Sequence, residues 1–229
     1  MALFNLKGFP YYLRTCKQVF AQYSTKTAPI VSLIKKIRRE RKLLLSLDEA
    51  YNIAMCVIRT GKIAGDIAEV GVYQGASAKL IAEFKKEKQL QLFDSFEGLP
   101  KLQELDKTNF YEGQFAASYS RVKEYLAPYR GINLHKGFFP ETGAFVKDKI
   151  FSFVHLDVDI YESTRACLDF FYPRLNHGAV LLSHDYINSP GVKRAFDEFF
   201  ADKPEPILEL YRPRRTVQRS GSQCLIVKI

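Results

Sequence analysis

The run Phe151-Ser152-Phe153-Val154-His155-Leu156-Asp157-Val158-Asp159 is an apolar stretch that ends in two acids. Alternation along a strand predicts Asp157 and Asp159 on one face, ~6.6 Å apart along it. Two carboxylates at the end of a buried strand are costly unless they bind something. A second apolar run ends at Ser183-His184-Asp185-Tyr186, which brings another acid to the same edge. Carboxylates with water form an ordinary magnesium site. Asp157 and Asp185 are therefore expected to hold a divalent cation, leaving Asp159 free as a general base. That chemistry suits a sugar hydroxyl, a poor nucleophile at neutral pH. A cation lowers the hydroxyl's pKa and a nearby carboxylate takes its proton. The competing structural reading has Asp157 and Asp159 capping helices or pairing with Arg165 and Lys193. His155 alternates onto the Asp157 face and reads first as a satisfied core histidine, second as a base. Tyr161, Ser163 and Thr164 open the following helix, with capping as their default role and substrate contact second.

A second set of residues suits a cofactor. Glu69-Val70-Gly71-Val72-Tyr73-Gln74-Gly75 follows an apolar run and precedes a helical one. Its glycines let the backbone turn sharply and approach a ligand closely. Open α/β sheets bind ligands outside the carboxyl ends of their strands. The spacing is not G-x-G-x-x-G, which disfavours a pyrophosphate cradle and with it a nicotinamide oxidoreductase. An acid ahead of the glycines suits the amino group of a methionine moiety. Asp94 closes the next strand, where an acid can accept from two ribose hydroxyls. Together these residues predict a site for S-adenosylmethionine, with Tyr73, Gly75 and Ser77 on the turn and the helix that it opens.

The elements that must position these groups alternate. Ser46-Leu47-Asp48-Glu49 is a capping box opening a helix that is expected to end at Gly61. Strands are predicted at Asp66–Val72, Leu90–Phe93, Ile132–His135, Ile150–Val158 and Ala179–Ser183. Helices are predicted at Ser77–Lys86, Tyr119–Leu126, Arg165–Phe171 and Val192–Phe200. Pro206–Tyr211 and Cys224–Ile229 read as two final strands, too close in sequence for a helical crossover and so antiparallel. This order predicts an α/β fold with a mostly parallel sheet and helices on both faces. One domain over residues 46–229 is expected, preceded by a basic helical arm over residues 1–45.

Composition sets the outer limits. The 229 residues are 47% hydrophobic and 26% charged, ordinary for a globular protein. No run approaches the ~18–20 apolar residues of a membrane-spanning helix. The cysteines at 16, 56, 167 and 224 are widely spaced, which predicts neither a disulfide framework nor a cysteine metal site and fits a reducing cytoplasm. The net charge is +9. Residues 1–43 hold ten Lys/Arg and only Glu40 as an acid, leaving 24 bases and 24 acids in the rest. A neutral body argues against a nucleic-acid-binding protein. The arm lacks acids before Glu40, as transit peptides do, yet is poor in Arg and Ser and has no uninterrupted apolar core. From Ile30 to Lys42 it reads as an amphipathic helix, with Ile30, Val31, Leu33, Ile34 and Ile37 as its apolar stripe. Such a helix packs on its own domain as a lid or homodimer contact, or lies on an anionic membrane or acidic partner.

Four segments together resemble the macrocin O-methyltransferase family. They are Asp94-Ser95-Phe96-Glu97-Gly98-Leu99-Pro100, Lys136-Gly137-Phe138-Phe139-Pro140-Glu141-Thr142, His155 through Thr164, and His184-Asp185-Tyr186. The Glu69–Gly75 segment agrees, and the likeness covers roughly residues 46–200. The resemblance implies a Rossmann-like class I methyltransferase fold that uses S-adenosylmethionine and magnesium to methylate hydroxyls, typically on sugars of natural products. It implies Asp157 and Asp185 as metal ligands and Asp159 as base. Glu69, Gly71, Asp94 and Ser95, with Asp157, fall where the cofactor is held, and Gly137 falls near the adenine.

One departure stands out. The family usually has two adjacent acids before the tyrosine, where this chain has His184-Asp185. Histidine ligates a metal but favours softer ions than magnesium. His184 therefore shifts the preference toward manganese or zinc, weakens binding, or acts as a base. The final hairpin loop, from Arg212 to Gln223, carries Arg212, Arg214, Arg215 and Arg219. It is expected to emerge at the active-site edge, where an acidic saccharide or nucleotide-linked sugar would meet it. The rival class is a methyltransferase-like subunit kept for binding or assembly without turnover, which the intact acids disfavour.

Overall fold

A computed structural model of the chain describes residues 28–107, 110–210 and 222–229. Two helices precede the sheet, α1 (Ala28–Glu40) and α2 (Leu47–Arg59). The capping box that opens α2 is present: Ser46 Oγ accepts from Glu49 N at 3.2 Å, and Glu49 Oε2 accepts from Ser46 N at 2.7 Å. Gly61 does not end the helix in a left-handed turn. Thr60 is the C-cap at φ −82°, a short 3-10 turn follows, and the left-handed glycine comes later, at Gly65.

Strand and helix then alternate: β1 (Asp66–Val70), α3 (Ala76–Phe84), β2 (Leu90–Asp94), α4 (Tyr119–Leu126), β3 (Ile132–Lys136), β4 (Phe151–Leu156), α5 (Tyr161–Phe171), β5 (Leu175–Ser183), α6 (Pro190–Phe200), β6 (Leu208–Leu210) and β7 (Gln223–Val227). The seven strands lie in the order β3-β2-β1-β4-β5-β7-β6. Pairing is parallel from β3 to β5, and β7 runs antiparallel to both β5 and β6. The mostly parallel sheet with an antiparallel C-terminal hairpin is as expected.

Two strands stop earlier than their hydrophobic runs do. β1 ends at Val70 because Gly71 turns the chain at φ +89°. A Cβ on Gly71 would lie 1.9 Å from the Asp157 carbonyl oxygen, so only glycine lets the β1 and β4 ends approach this closely. β4 ends at Leu156, not Val158. Asp157 N still donates to Val70 O, but Asp159 has a left-handed φ of +66°. Asp157 and Asp159 therefore reach one edge through a turn, not through strand alternation.

The sheet separates two apolar clusters. On one face Ile34 and Ile37 of α1 pack with Ile53 and Val57 of α2 and with Leu80 and Ile81 of α3. On the other, Cys167, Leu168 and Phe171 of α5 meet Val192 and Phe196 of α6. The apolar stripe of α1 is thus spent on the chain's own core, and Lys35, Lys36, Arg38 and Arg39 face outward. Glu40 ties the end of α1 to the body by accepting from Lys79 Nζ at 2.6 Å and Tyr125 Oη at 2.7 Å. Among the described residues no helix is long and apolar enough to cross a membrane. Cys56, Cys167 and Cys224 are free.

Ile34 and Ile37 are fully buried, so replacing either by alanine removes a transfer term and leaves a cavity. Ile34→Ala and Ile37→Ala are each expected to cost ~2–5 kcal/mol in urea denaturation. A loss under ~0.5 kcal/mol, as at a surface position, would mean that α1 is an appendage the body does not need.

Candidate functional site

β1 and β4 are adjacent, yet the chain leaves β1 toward β2 on one side and β4 toward β5 on the other. Such a reversal opens a crevice at the carboxyl ends of parallel strands. A cavity of about 380 Å³ lies there, a size suited to a small molecule. Gly71, Tyr73 and Ser77 line it from the β1–α3 turn, Asp94 and Ser95 from the end of β2, and Gly137 from beyond β3. Asp157, Asp159, His184 and Asp185 line its other side. Lys42 through Leu45, between α1 and α2, and Phe110, Gln114 and Phe115, before α4, complete the wall. These two segments carried no chemical motif and were missed by sequence reasoning.

Two residues expected to contact a cofactor do not line the cavity. Gly75 is the left-handed N-cap of α3, turned toward Val122 and Tyr125. Glu69 lies under the floor, fully buried beside its register partner His155. Its Oε1 is 2.8 Å from His155 Nδ1. Burial raises the Glu69 pKa, and the histidine opposes that rise. His155 is thus a buried core residue, but only half of the satisfied histidine expected: Nδ1 has Glu69 as its partner, and Nε2 is buried with none.

Asp94 holds the glycine turn in shape. Its Oδ2 accepts from Val72 N at 2.8 Å and Tyr73 N at 2.7 Å, and its Oδ1 from Phe96 N at 2.6 Å. Burial raises its pKa against the pull of these three amides. A carboxylate has about four acceptor positions, so one remains for a ligand in the cavity. Ser95 Oγ donates to Gly98 O at 3.0 Å and accepts from Glu97 N, which shapes the adjoining loop.

The acidic side converges on one imidazole. His184 Nδ1 lies 3.0 Å from Asp185 Oδ2 and 3.3 Å from Asp157 Oδ1. Its Nε2 lies 3.3 Å from Glu49 Oε1 and 3.5 Å from Ser222 Oγ. Burial alone would lower the His184 pKa, but Asp157, Asp185 and Glu49 carry it well above its ordinary value. These acids favour the protonated ring, and a metal cation at Nδ1 would displace the proton there. Asp157 is held below the usual carboxylate range: burial opposes this, and the adjacent His184 prevails. Asp159 behaves oppositely. Burial, then Asp157 and Asp185, push its pKa well above normal. Asp185, like Asp159, has a left-handed backbone, at φ +60°. Paired residues in this sparsely populated region re-aim two carboxyls after their strands end.

The competing structural reading of these acids does not describe their partners. Arg165 pairs with Asp169 at 3.0 Å and Lys193 with Asp197 at 2.9 Å. Nor do Tyr161, Ser163 or Thr164 cap α5. Its N-cap is Ile160, and Asp106 reaches in from the loop after β2 to accept from Tyr161 N at 3.3 Å. Ser163 lines the cavity.

Asp157, His184 and Asp185 each bring a ligand atom within 4.8 Å of the other two. Two carboxylate oxygens and an imidazole nitrogen are a donor set for a divalent cation, and the imidazole widens the choice beyond magnesium. The residues present fit such an ion. Glu49 was legible only as half of a capping box, and its second role needs the fold to be seen. Arg212, Arg214, Arg215 and Arg219 lie outside the described residues. The far end of their loop, Ser222, stands beside His184 and donates its amide to Glu49 Oε1 at 2.9 Å.

Known proteins share this architecture. Demethyldecarbamoylnovobiocin O-methyltransferase of Streptomyces niveus is 25% identical over 180 residues, covering 69% of this chain and 67% of that protein. The 8-demethyl-8-(2,3-dimethoxy-alpha-L-rhamnosyl)-tetracenomycin-C 4'-O-methyltransferase of Streptomyces olivaceus is 26% identical over 161 residues, 62% of each chain. The match to the second therefore spans less than two thirds of that relative. The structure of an O-methyltransferase from Bacillus cereus in complex with SAH superposes with a TM-score of 0.60 at 16% identity, covering 92% of this chain and 97% of that one. The fold is that of the class I methyltransferases. The family described as macrocin-O-methyltransferase (TylF) matches residues 45–209, and the chain belongs to that family.

Proposed function

We propose that this protein is an S-adenosylmethionine-dependent O-methyltransferase acting on a hydroxyl of a sugar in a small molecule, with a divalent cation at Asp157, His184 and Asp185. The observation that carries the reading is the cavity itself. Its one side is a glycine turn clasped by Asp94, and its other side is the group of three aspartates around His184. The names of the two Streptomyces relatives, both O-methyltransferases and one acting on a rhamnosyl product, support the acceptor class. The bound SAH of the Bacillus cereus protein supports the cofactor.

Each residue has a derived task. Gly71, Tyr73, Ser77, Asp94, Ser95 and Gly137 form the cofactor side, and the free acceptor position of Asp94 suits a ribose hydroxyl. Gly75 holds the turn at the start of α3. Glu69 acts from beneath by fixing β1 against β4 through His155. Bound there, S-adenosylmethionine supplies the methyl group and leaves as S-adenosylhomocysteine. Asp157, at the end of β4 and in the cavity lining, would serve both the cofactor and the cation. Asp157, His184 and Asp185 would hold a cation, whose charge would lower the acceptor hydroxyl's pKa. Asp159 takes the hydroxyl proton. Its raised pKa brings it toward the operating pH, where a base is most effective, and positive charge beside it favours its ionised form. Lys42 at the cavity wall, with the arginines of the hairpin loop, suits an acidic acceptor such as a nucleotide-linked sugar. α1 packs on its own domain, and the Lys42–Leu45 segment that follows it walls the cavity.

The test is methyl transfer from labelled S-adenosylmethionine to a panel of nucleotide-linked and free deoxysugars, with and without magnesium or manganese. Metal-dependent transfer to a sugar hydroxyl is the expected result. Cofactor binding with no transfer to any hydroxyl would favour a binding subunit instead. In calorimetry, S-adenosylhomocysteine should bind one to one, and Asp94→Ala should abolish detectable heat while circular dichroism stays native. Undiminished binding would move the cofactor off this side of the cavity. Asp159→Asn should lower kcat by ~10²–10⁴-fold and leave that binding intact; an unchanged kcat would remove Asp159 from proton transfer. His184→Asp should move the metal optimum toward magnesium, and identical metal profiles for the two proteins would exclude His184 from coordination.

A further inference from the structure

Glu49 does more than cap a helix. A capping box needs one carboxylate oxygen at the third helical position, to accept from the N-cap amide. Oε2 of Glu49 does this at Ser46 N, 2.7 Å away. Oε1 points the other way, into the protein, where it accepts from Ser222 N at 2.9 Å and faces His184 Nε2 at 3.3 Å. The side chain is only 8% exposed, so the orientation is built and not a surface excursion. The main chain is held as well. Glu49 O accepts from Gln223 Nε2 at 3.3 Å, and Gln223 Oε1 accepts from Asn52 Nδ2 at 3.0 Å. The start of α2 and the start of β7 thus grip this carboxylate from both sides.

The two nitrogens of His184 face different surroundings. Nδ1 looks toward Asp157 and Asp185, and Nε2 toward Glu49 and Ser222. An imidazole that ligates a metal uses the lone pair of one nitrogen and donates the N–H of the other, usually to a carboxylate. A carboxylate oxygen accepts only, and it claims the Nε2 proton. A cation bound between Asp157 and Asp185 would displace the proton on Nδ1, and its lone pair would then face the side where both candidate carboxylate ligands stand.

We infer that Glu49 is a positioning residue that fixes His184 as its Nε2–H tautomer, so that Nδ1 joins Asp157 and Asp185 in holding a divalent cation. This rests on the cation reading of the proposed function. It assigns a task to an acid far in sequence from Asp157, His184 and Asp185. It also explains why a histidine serves where an acid would otherwise stand, since the third carboxylate gives the ring one defined face.

The test uses the full chain without cofactor or acceptor, titrated with Mn²⁺ by calorimetry. Glu49→Gln keeps a side chain that can cap Ser46 N but places an amide N–H₂ where an acceptor is needed. The wild type should bind one Mn²⁺, and Glu49→Gln should weaken that affinity by ~10–100-fold. In a His184→Asp background, with no tautomer to fix, Glu49→Gln should leave Mn²⁺ affinity unchanged. Equal loss in both backgrounds would make the effect purely structural and overturn the inference. Equal affinity of the wild type and Glu49→Gln would overturn it too, with the cation reading intact. Failure of the wild type to bind Mn²⁺ would remove the cation reading itself and this inference with it. The wild type alone gives a second readout that survives a variant failing to fold. In ¹⁵N spectra of histidine-labelled protein loaded with Zn²⁺, the proton of His184 should sit on Nε2. A proton on Nδ1 would overturn the inference.

Discussion

Four carboxyl groups, Glu49, Asp157, Asp159 and Asp185, crowd one edge of the sheet around a single imidazole, and the rest of the site answers that imbalance. Unpaired charge away from water is expensive. The protein meets the cost in three ways. Three of the acids raise the pKa of His184 well above normal, although its burial alone would lower it. Asp159 has its pKa raised, by burial first and then by Asp157 and Asp185. Backbone and hydroxyl donors at Ser46 and Ser222 satisfy the remaining oxygens of Glu49 and Asp185. A cavity that carries surplus negative charge in this way is prepared for a cation and for the positive sulfonium of the proposed methyl donor.

The parallel sheet makes the crowding unavoidable. Adjacent parallel strands end at the same edge, so the turns leaving β1, β4 and β5 must share one space. Gly71 lets the first of these turns sit against the carbonyl of Asp157. Left-handed residues at Asp159 and Asp185 then turn the chain at the cavity lining. The antiparallel β7 enters from the same edge, and so Ser222 arrives beside His184 although it comes from the far end of the chain. The N-terminal helices supply Glu49 and the Lys42–Leu45 wall, and they belong to the core on which the sheet packs.

Much of this was legible beforehand because it depends on local chemistry. The capping box at Ser46–Glu49, the span of α4 and the antiparallel C-terminal pair follow from turn chemistry, periodicity and connection length. The cavity contains Asp94, Asp157, Asp159, His184 and Asp185, acids and a histidine at strand ends, where an apolar run stops at a polar residue. Less legible were the ends of β1 and β4. An apolar residue past a turn looks the same in sequence as one inside a strand, and only the close contact between the two strand ends stops them at Val70 and Leu156. The cap of α5 was likewise hidden, because Asp106 supplies it from a distant loop.

The sequence by itself determined the alternation of strands and helices, the basic composition of residues 1–43, the glycine turn and the family, since each is written in residue types at short spacing. Tertiary structure alone decided that the stripe of α1 is buried in the protein's own core. It also decided that Glu69 pairs with His155 beneath the cavity, and that Glu49 and Ser222 meet at His184. Those outcomes depend on which surfaces the chain brings together after it folds. A contact between residues far apart in sequence leaves no periodicity and no motif, because its partner is chosen by packing and by the need to compensate buried charge.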